Sequence, residues 1–200
     1  MGTLEQNRVD MSWTKQNELP KPATKFTFGW VVGARRGHLI VRTSRMIRIR
    51  RLAARDYRAV KKIERIIVDE YLGYLKETGE EDAIEPWITP EYFNHYVRAQ
   101  ASYVAEIGRK LVGFILVQAT SFVHDVKREI WLEYIAVEPA SRRRGIGTML
   151  MSSVIEYANT HDIPLLYTTL NPNNKESIQF LTRHGFEVKD WKEAAKKLRH

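Results

Sequence analysis

The feature that most constrains this chain is a basic, glycine-containing run between two apolar segments. Residues 130–137 (Ile-Trp-Leu-Glu-Tyr-Ile-Ala-Val) are almost wholly apolar and rich in β-branched and aromatic side chains, which predicts a strand covered on both faces. Residues 141–148 follow as Ser-Arg-Arg-Arg-Gly-Ile-Gly-Thr. Apolar residues then recur every four positions from Ile146 to Ala158, which predicts an amphipathic helix. The predicted order is strand, basic glycine loop, helix.

A loop that leads from a strand into the start of a helix can bind an anion. The first N–H groups of a helix lack intrahelical partners, and the helix dipole adds positive potential at that end, so a phosphate satisfies both. Gly145 and Gly147 have no Cβ, so an oxygen can approach their peptide nitrogens closely, and Arg142, Arg143 and Arg144 attract anions. We therefore predict a phosphate-binding loop at these residues.

Two segments resemble the acetyl-CoA signature of the GNAT N-acetyltransferase superfamily. Residues 137–147 (Val-Glu-Pro-Ala-Ser-Arg-Arg-Arg-Gly-Ile-Gly) are similar to its Arg/Gln-x-x-Gly-x-Gly/Ala motif after a strand end. Residues 174–186 (Asn-Lys-Glu-Ser-Ile-Gln-Phe-Leu-Thr-Arg-His-Gly-Phe) look like its late segment, Asn-x-x-Ala-x-x-Leu-Tyr-x-x-x-Gly-Phe. The resemblance covers residues 46–188. It implies an α/β (α+β) fold: a central mixed, mostly antiparallel twisted sheet flanked by helices on both faces.

The resemblance also implies transfer of acetyl from acetyl-CoA to a primary amine by direct attack in a ternary complex, with no metal. Backbone N–H groups at the strand end would bond the acetyl oxygen and the pantetheine, and the loop would cradle the pyrophosphate. Asn174 would lie near the pantetheine, although it also suits a helix N-cap, and both roles can hold together. The implied cofactor-binding residues are Ile135, Ala136, Val137, Arg142, Arg143, Arg144, Gly145, Ile146, Gly147, Thr148 and Asn174.

The candidate catalytic residue is Glu133, the only charged residue in 130–137. Strand alternation predicts that it shares a face with Trp131, Ile135 and Val137. A carboxylate in so apolar a run is costly unless it is paired or lines a cleft, and desolvation would raise its pKa, which suits a general base. The alternative is a structural carboxylate that pairs with a neighbouring arginine or reaches solvent where the strands splay apart.

The chain departs from the family at the expected general acid. Leu181 stands where the family often has tyrosine, so solvent or another group, such as Tyr134 or Tyr167, must protonate the leaving thiolate. Thr169 stands where the branch that acetylates ribosomal-protein N-termini has a glutamate base. The acid-base pair of that branch therefore cannot be carried over, and the acceptor stays open.

Residues 1–45 form a predicted basic extension ahead of a GNAT domain at 46–200. They contribute +5 of the formal net charge of +8, and their proline-punctuated first part predicts little order. Residues 25–43 are compatible with a hairpin, and Met46 is itself a possible start. We favour a solvated extension over an arm that binds RNA or an acidic partner.

A second expectation concerns the acceptor side, residues 71–96. Acidic residues there accompany four aromatic ones, and such a rim would attract a cationic amine, namely a peptide N-terminus, a lysine or a polyamine, unless it is simply a solvated loop. The residues of this rim are Glu77, Glu80, Glu81, Asp82, Glu85, Tyr74, Trp87, Tyr92 and Tyr96.

Two other functions stay open: a weakly catalytic acyl-CoA-binding module, and an acetyltransferase targeted to RNA or the ribosome by its basic arm.

The remaining elements alternate between helix and strand. Helices are predicted at 56–74 with Asp56 as N-cap, at 91–100 behind Thr89 and Pro90, at 146–160 and at 174–184. Strands are predicted at 46–52, 102–107, 111–118, 130–137, 165–170 and from Phe186 onward. This alternation predicts an α/β or α+β domain with a mixed sheet.

Composition excludes several other chemistries. The chain has no cysteine, which rules out disulfides and thiol catalysis, and its histidines lack metal-ligand spacing. It lacks the Gly-x-Ser-x-Gly and Gly-x-x-x-x-Gly-Lys motifs of serine hydrolases and P-loop proteins. No run approaches the roughly 18 apolar residues of a membrane span, and no signal-peptide core is present, so we predict a cytoplasmic protein.

Overall fold

The structure is a computed structural model that describes residues 46–78, 85–120 and 128–189. The predicted extension at 1–45, its hairpin and most of the acidic loop lie outside these ranges. Within them, no helix is long and apolar enough to cross a membrane.

The described residues form a five-stranded sheet in the order β1-β2-β3-β4-β5. Its strands are β1 Ile47–Arg51, β2 Tyr103–Ile107, β3 Lys110–Thr120, β4 Glu129–Val137 and β5 Leu165–Tyr167. The first four pair antiparallel, and β4 pairs with β5 in parallel. Gly108, at φ +65°, forms the tight turn between β2 and β3 that the sequence predicts. The predicted mixed, mostly antiparallel sheet is confirmed.

Four helices in the described ranges cover the two faces of this sheet. They are α1 Tyr57–Thr78, α2 Pro90–Ala99, α3 Ile146–Thr160 and α4 Lys175–Arg183. Residues of α1 and α2, including Val60 and Phe93, pack with Phe114 and Leu116 of β3 on one face. Residues of α3 and α4 pack with the opposite face in a second core cluster. The predicted layers are therefore confirmed.

The predicted start of α1 lies within one residue of the observed one, but its predicted end was wrong. A short 3-10 turn, Ala54–Asp56, precedes the helix, and Ala53 occupies the N-cap position of that turn. The Asp56 carboxylate is buried, accepts from the Ala53 N–H at 2.9 Å and binds the guanidinium of Arg50. At the other end the helix continues through Gly73, because Leu75 extends the buried face by another turn.

The predicted strand from Phe186 is also absent from residues 186–189. Gly185 adopts φ +84°, and its N–H donates to the carbonyl of Thr182 while that of Phe186 donates to Leu181. This pair of bonds is a Schellman cap on α4. The N–H of Phe186 is therefore used to end the helix and is not available for a sheet ladder.

Candidate functional site

Strands β4 and β5 separate before β4 ends, which leaves one edge of β4 without a strand partner among the described residues; we call it the open edge. Their pairing covers only Glu129 to Trp131 against β5. On its other edge, β4 bonds to β3, and Glu138 N–H donates to Val112 O at 2.8 Å just beyond the last paired residue. Because bonded and non-bonded pairs alternate in an antiparallel ladder, the N–H groups of Ile135 and Val137 point to the open edge. The N–H of Ala136 points to β3.

A β-bulge sits in β4 where it passes this opening. The register shifts between Leu116 and Val117 of β3, so Glu133 is the extra residue between Leu132 and Tyr134. The predicted face was consequently wrong for part of the strand. Ile135 and Val137 pack with the α3 side of the sheet, whereas Glu133 points into a cleft on the α2 side.

The carboxylate of Glu133 has a defined partner. The side-chain amide of Gln118 on β3 donates a hydrogen bond to Glu133 Oε1, and Gln118 Oε1 lies 3.1 Å from His95 Nε2 on α2. Burial raises the pKa of Glu133, while the hydrogen bond from Gln118 and the nearby His95 ring oppose that rise. In the described part of the chain the carboxylate thus bonds an amide rather than the arginine of the alternative interpretation.

Glu133 lies in a cleft of about 580 Å³ between α2 and the sheet. Trp87 forms one wall, since its ring stacks on Tyr134 and meets Tyr92 and Tyr96 edge to face. The cleft is lined by Trp87, Glu91, Tyr92, His95, Tyr96, Gln118 and Glu133. Its walls are mainly aromatic, and besides the two tyrosines its ionisable groups are two carboxylates and one imidazole.

On the other side of β4, the basic loop leads into α3 as predicted. Gly145 is the N-cap at φ +75° and offers no side chain to the first N–H groups of the helix. Thr148 is exposed in that first turn, whereas Ile146 is buried in the core. The helix start therefore presents unsatisfied donors and a dipole to an anion.

The three arginines of the loop have different surroundings. Arg142 binds Glu70 of α1 through both terminal nitrogens, one at 2.7 Å, and its Nε donates to the carbonyl of Val137. Arg143 lies 3.5 Å from Glu176 and is nearly fully exposed, and Arg144 is exposed as well. Arg142 thus fastens the loop to α1, while the other two side chains face solvent.

Gly147 lies where α3 and α4 approach each other. A Cβ added there would stand 3.2 Å from a ring carbon of Phe180. This close approach is a structural reason for the glycine, in addition to the access to phosphate that the sequence suggests. A test of phosphate binding at this position therefore needs two substitutions of similar shape that differ in charge.

The residues of the late segment fall at the start and in the core of α4. Asn174 is the N-cap of α4, and its Oδ1 accepts from the N–H of Ser177 at 3.0 Å. Leu181 is buried in the core, so no hydroxyl is available there. Tyr134 packs between Phe114 and Trp87, where burial and the charge of Glu64 raise its pKa to about 12. Tyr167 lies against the ring of Trp131.

Sequence reasoning missed Gln118 and His95, which form the hydrogen-bonded path to Glu133. A signal existed for Gln118, because it is the first polar side chain after seven uncharged residues of β3. Among the residues that the structure describes, no group of three His, Asp or Glu side chains is arranged to hold a metal ion.

Comparison with known proteins agrees with this architecture. An uncharacterized N-acetyltransferase of Methanocaldococcus jannaschii is 35% identical over 101 residues, which are 48% of this chain and 45% of that protein. L-2,4-diaminobutyric acid acetyltransferase of Nocardia farcinica is 32% identical over 75 residues, 38% of this chain and 37% of that protein. The matched regions therefore span less than half the length of these curated relatives.

Solved structures share the fold at low identity. Aminoglycoside N-acetyltransferase AAC(6')-Iy in complex with CoA has 17% identity and a TM-score of 0.59, covering 76% of this chain and 95% of that one. Arabidopsis thaliana Naa50 in complex with the bisubstrate analogue CoA-Ac-MVNAL has 16% identity and a TM-score of 0.56, covering 72% and 85%. The model of the acetyltransferase (GNAT) family matches residues 60–186. This chain therefore belongs to the GNAT acetyltransferase family.

Proposed function

We propose that the chain transfers acetyl from acetyl-CoA to a primary amine, with Glu133 as general base. The observation that carries the proposal is the position of Glu133. It is the bulged residue of β4, its carboxylate faces the aromatic cleft, and the open edge of the same strand follows two residues later. One strand thus brings a base for the amine next to free backbone donors for a carbonyl.

The residues present fit acetyl-CoA. The N–H groups of Ile135 and Val137 would bond the acetyl oxygen and the pantetheine, and the uncapped start of α3 would hold the pyrophosphate. Arg143 and Arg144 are exposed, so their positive charge can attract an anion and no buried ion pair has to break first. Asn174 would approach the pantetheine from the start of α4, beside its capping bond to Ser177. Arg142 would act by holding the loop against α1.

Glu133 would remove the proton that the attacking amine must lose. A free amine with a pKa near 10 is mostly protonated at neutral pH, so proton removal is part of the barrier. Because burial raises the pKa of Glu133, its carboxylate is a stronger base than an exposed one. When bound, acetyl-CoA supplies the thioester carbonyl that the amine attacks. Preorganised N–H donors aimed at the developing oxyanion typically contribute about 3 kcal/mol each.

CoA would leave as the thiolate with no acid catalyst in the site, and the thiolate would equilibrate with buffered solvent after its release. The buried side chain of Leu181 has no acidic proton. The pKa of Tyr134 is raised to about 12, well above the pKa of roughly 8.5 of a thiol. Proton transfer from Tyr134 to the thiolate would therefore run uphill. A thiolate near its own pKa can leave without a strong acid, so the missing tyrosine does not by itself prevent turnover.

Two further observations favour an amine acceptor. The cleft presents carboxylates and aromatic faces, which attract cations. One relative is named for a small amine, L-2,4-diaminobutyric acid. A binding module without catalysis would not require a carboxylate at the bulge. Targeting to RNA or the ribosome would depend on residues 1–45, which lie outside the described ranges.

Thiol release from acetyl-CoA tests the proposal directly. Purified full-length chain is incubated with acetyl-CoA and a panel of small amines, aminoglycosides and peptides, and free thiol is measured continuously. We expect amine-dependent release above the hydrolytic background. Binding of CoA without release for any amine would favour the acyl-CoA-binding module instead.

A further inference from the structure

The acceptor cleft has two acidic positions at different places along its aromatic wall. Glu91 lies in the first turn of α2 at the rim, and Glu133 lies on β4 beside Gln118. The pKa of Glu91 is lowered, chiefly by a hydrogen bond from its own backbone N–H and then by the hydroxyl of Thr89, so its carboxylate remains charged. Two anionic groups therefore belong to one cleft.

The spacing of these groups follows from the helix. Glu91 and His95 are four residues apart on α2, which corresponds to about 6 Å along the axis. His95 contacts Gln118, which in turn bonds Glu133. The carboxylate of Glu91 thus lies about one helical turn from the imidazole of His95. That imidazole is linked to the carboxylate of Glu133 through the amide of Gln118.

The surface between these positions is aromatic and carries no fixed positive charge. Tyr92 is 55% exposed and Trp87 is 36% exposed, which are large accessible fractions for such side chains. No lysine or arginine is among the described residues that line the cleft. An apolar chain carrying a cation can therefore lie on the rings, where cation–π attraction adds to that of the carboxylates.

We propose that the acceptor is a small amine with a second positive charge, in which one nitrogen reacts beside Glu133 and the other ammonium is held by Glu91 against Trp87 and Tyr92. This inference rests on the proposed function and deepens it. The reacting ammonium gives one proton to Glu133, and the neutral nitrogen then attacks the thioester carbon to form the C–N bond. The C–S bond breaks with CoA leaving as the thiolate, and the nitrogen's second proton passes to solvent. The second ammonium keeps its proton throughout. Glu91 is therefore a specificity residue and takes no part in the chemistry.

Matched pairs of amines provide the test. 1,3-Diaminopropane, putrescine and cadaverine are each compared with the monoamine of equal chain length by kcat/KM for thiol release. We expect a diamine preference of about tenfold for the best-fitting length, which should shrink as ionic strength rises. In Glu91→Gln the ratio of diamine to monoamine should fall toward about two, the statistical value for a molecule with two equivalent reactive nitrogens. In Glu156→Gln, an exposed glutamate of α3, the ratio should stay as in the parent.

The outcomes separate the two proposals. Equal turnover of diamines and monoamines by the parent chain, a diamine preference that survives Glu91→Gln, or turnover of peptide α-amines in place of diamines would overturn the inference but leave amine acetylation standing. Absence of release with every amine, in a preparation that binds CoA, would contradict the proposed function and the inference with it.

Discussion

The side-chain amide of Gln118 donates to the carboxylate of Glu133 across the β3–β4 ladder, at the point where a bulge interrupts the register. Gln118 pairs with Trp131, two residues before Glu133, so the contact is diagonal and depends on the position of the bulge. The amide also meets His95 of α2. Strand, bulge and helix therefore fix the orientation of one carboxylate in the acceptor cleft.

Gln118→Leu should move the acidic limb of the kcat/KM profile to higher pH. The amide stabilises the ionised carboxylate and lowers its pKa, so its loss leaves desolvation less opposed and the pKa rises. Because the base works when deprotonated, the activity of the variant should fall first at low pH and approach the parent value at high pH. Gln179→Leu, on the exposed face of α4, is the control. An unmoved limb would show that Gln118 does not tune the base.

Glu133→Gln should lower kcat by about 10²- to 10⁴-fold at neutral pH, the usual contribution of a general base. The acidic limb assigned to this carboxylate should disappear, because the amide does not titrate. Affinity for CoA, measured by calorimetry, should stay near the parent value, since the cofactor loop lies on the other side of β4. Glu156→Gln serves as the control, and an unchanged pH profile in Glu133→Gln would remove this residue from the mechanism.

Much of the fold was predictable because its signals are local. The apolar run of β4, the four-residue recurrence along α3 and the Thr89–Pro90 start of α2 all formed as expected. Predictions failed where a hydrogen bond that periodicity does not reveal uses the group in another way. Asp56 was expected to cap α1, but its carboxylate is held by Arg50 in the buried turn before the helix. Phe186 was expected in a strand, but its N–H caps α4.

The candidate site was predictable on its cofactor side and less so on its acceptor side. The loop at 142–148 is contiguous, so its position at the start of α3 follows from the sequence alone. The surroundings of Glu133 come from α2 and β3, and a bulge decides which way it points. Alternation could not locate that bulge, because the extra residue is defined only relative to the partner strand. Glu91 was not singled out because its place in the cleft depends on how α2 packs against the sheet.

Arg50→Met should destabilise the fold by about 3 kcal/mol. Arg50 donates to both oxygens of Asp56, at 2.6 and 2.7 Å, and to Glu106 of β2. Asp56 is only 5% exposed, so removing the guanidinium would leave a buried carboxylate without its ionic partner. Urea unfolding followed by circular dichroism measures the change.

A control for this prediction lies two residues away on the same strand. Arg48 is exposed, so Arg48→Met removes the same charge from β1 without uncovering a buried anion. Its effect should stay within about 0.5 kcal/mol. Equal losses in the two variants would mean that the cluster around Arg50 contributes no more than a surface charge does.

Gly147→Asp and Gly147→Asn together test the phosphate loop. Both side chains place a Cβ against the ring of Phe180, at 3.2 Å before relaxation, and they differ mainly in charge. A carboxylate in the first turn of α3 suits the helix dipole, so Gly147→Asp should unfold no more readily than Gly147→Asn. If the start of α3 binds the pyrophosphate, however, the carboxylate repels it, and the Kd for CoA should be at least about tenfold weaker in Gly147→Asp at low ionic strength. The difference in Kd between the two variants should become smaller as salt is added. Equal affinities of the two variants, each weaker than the parent, would attribute the effect to contact with Phe180 and place the diphosphate elsewhere.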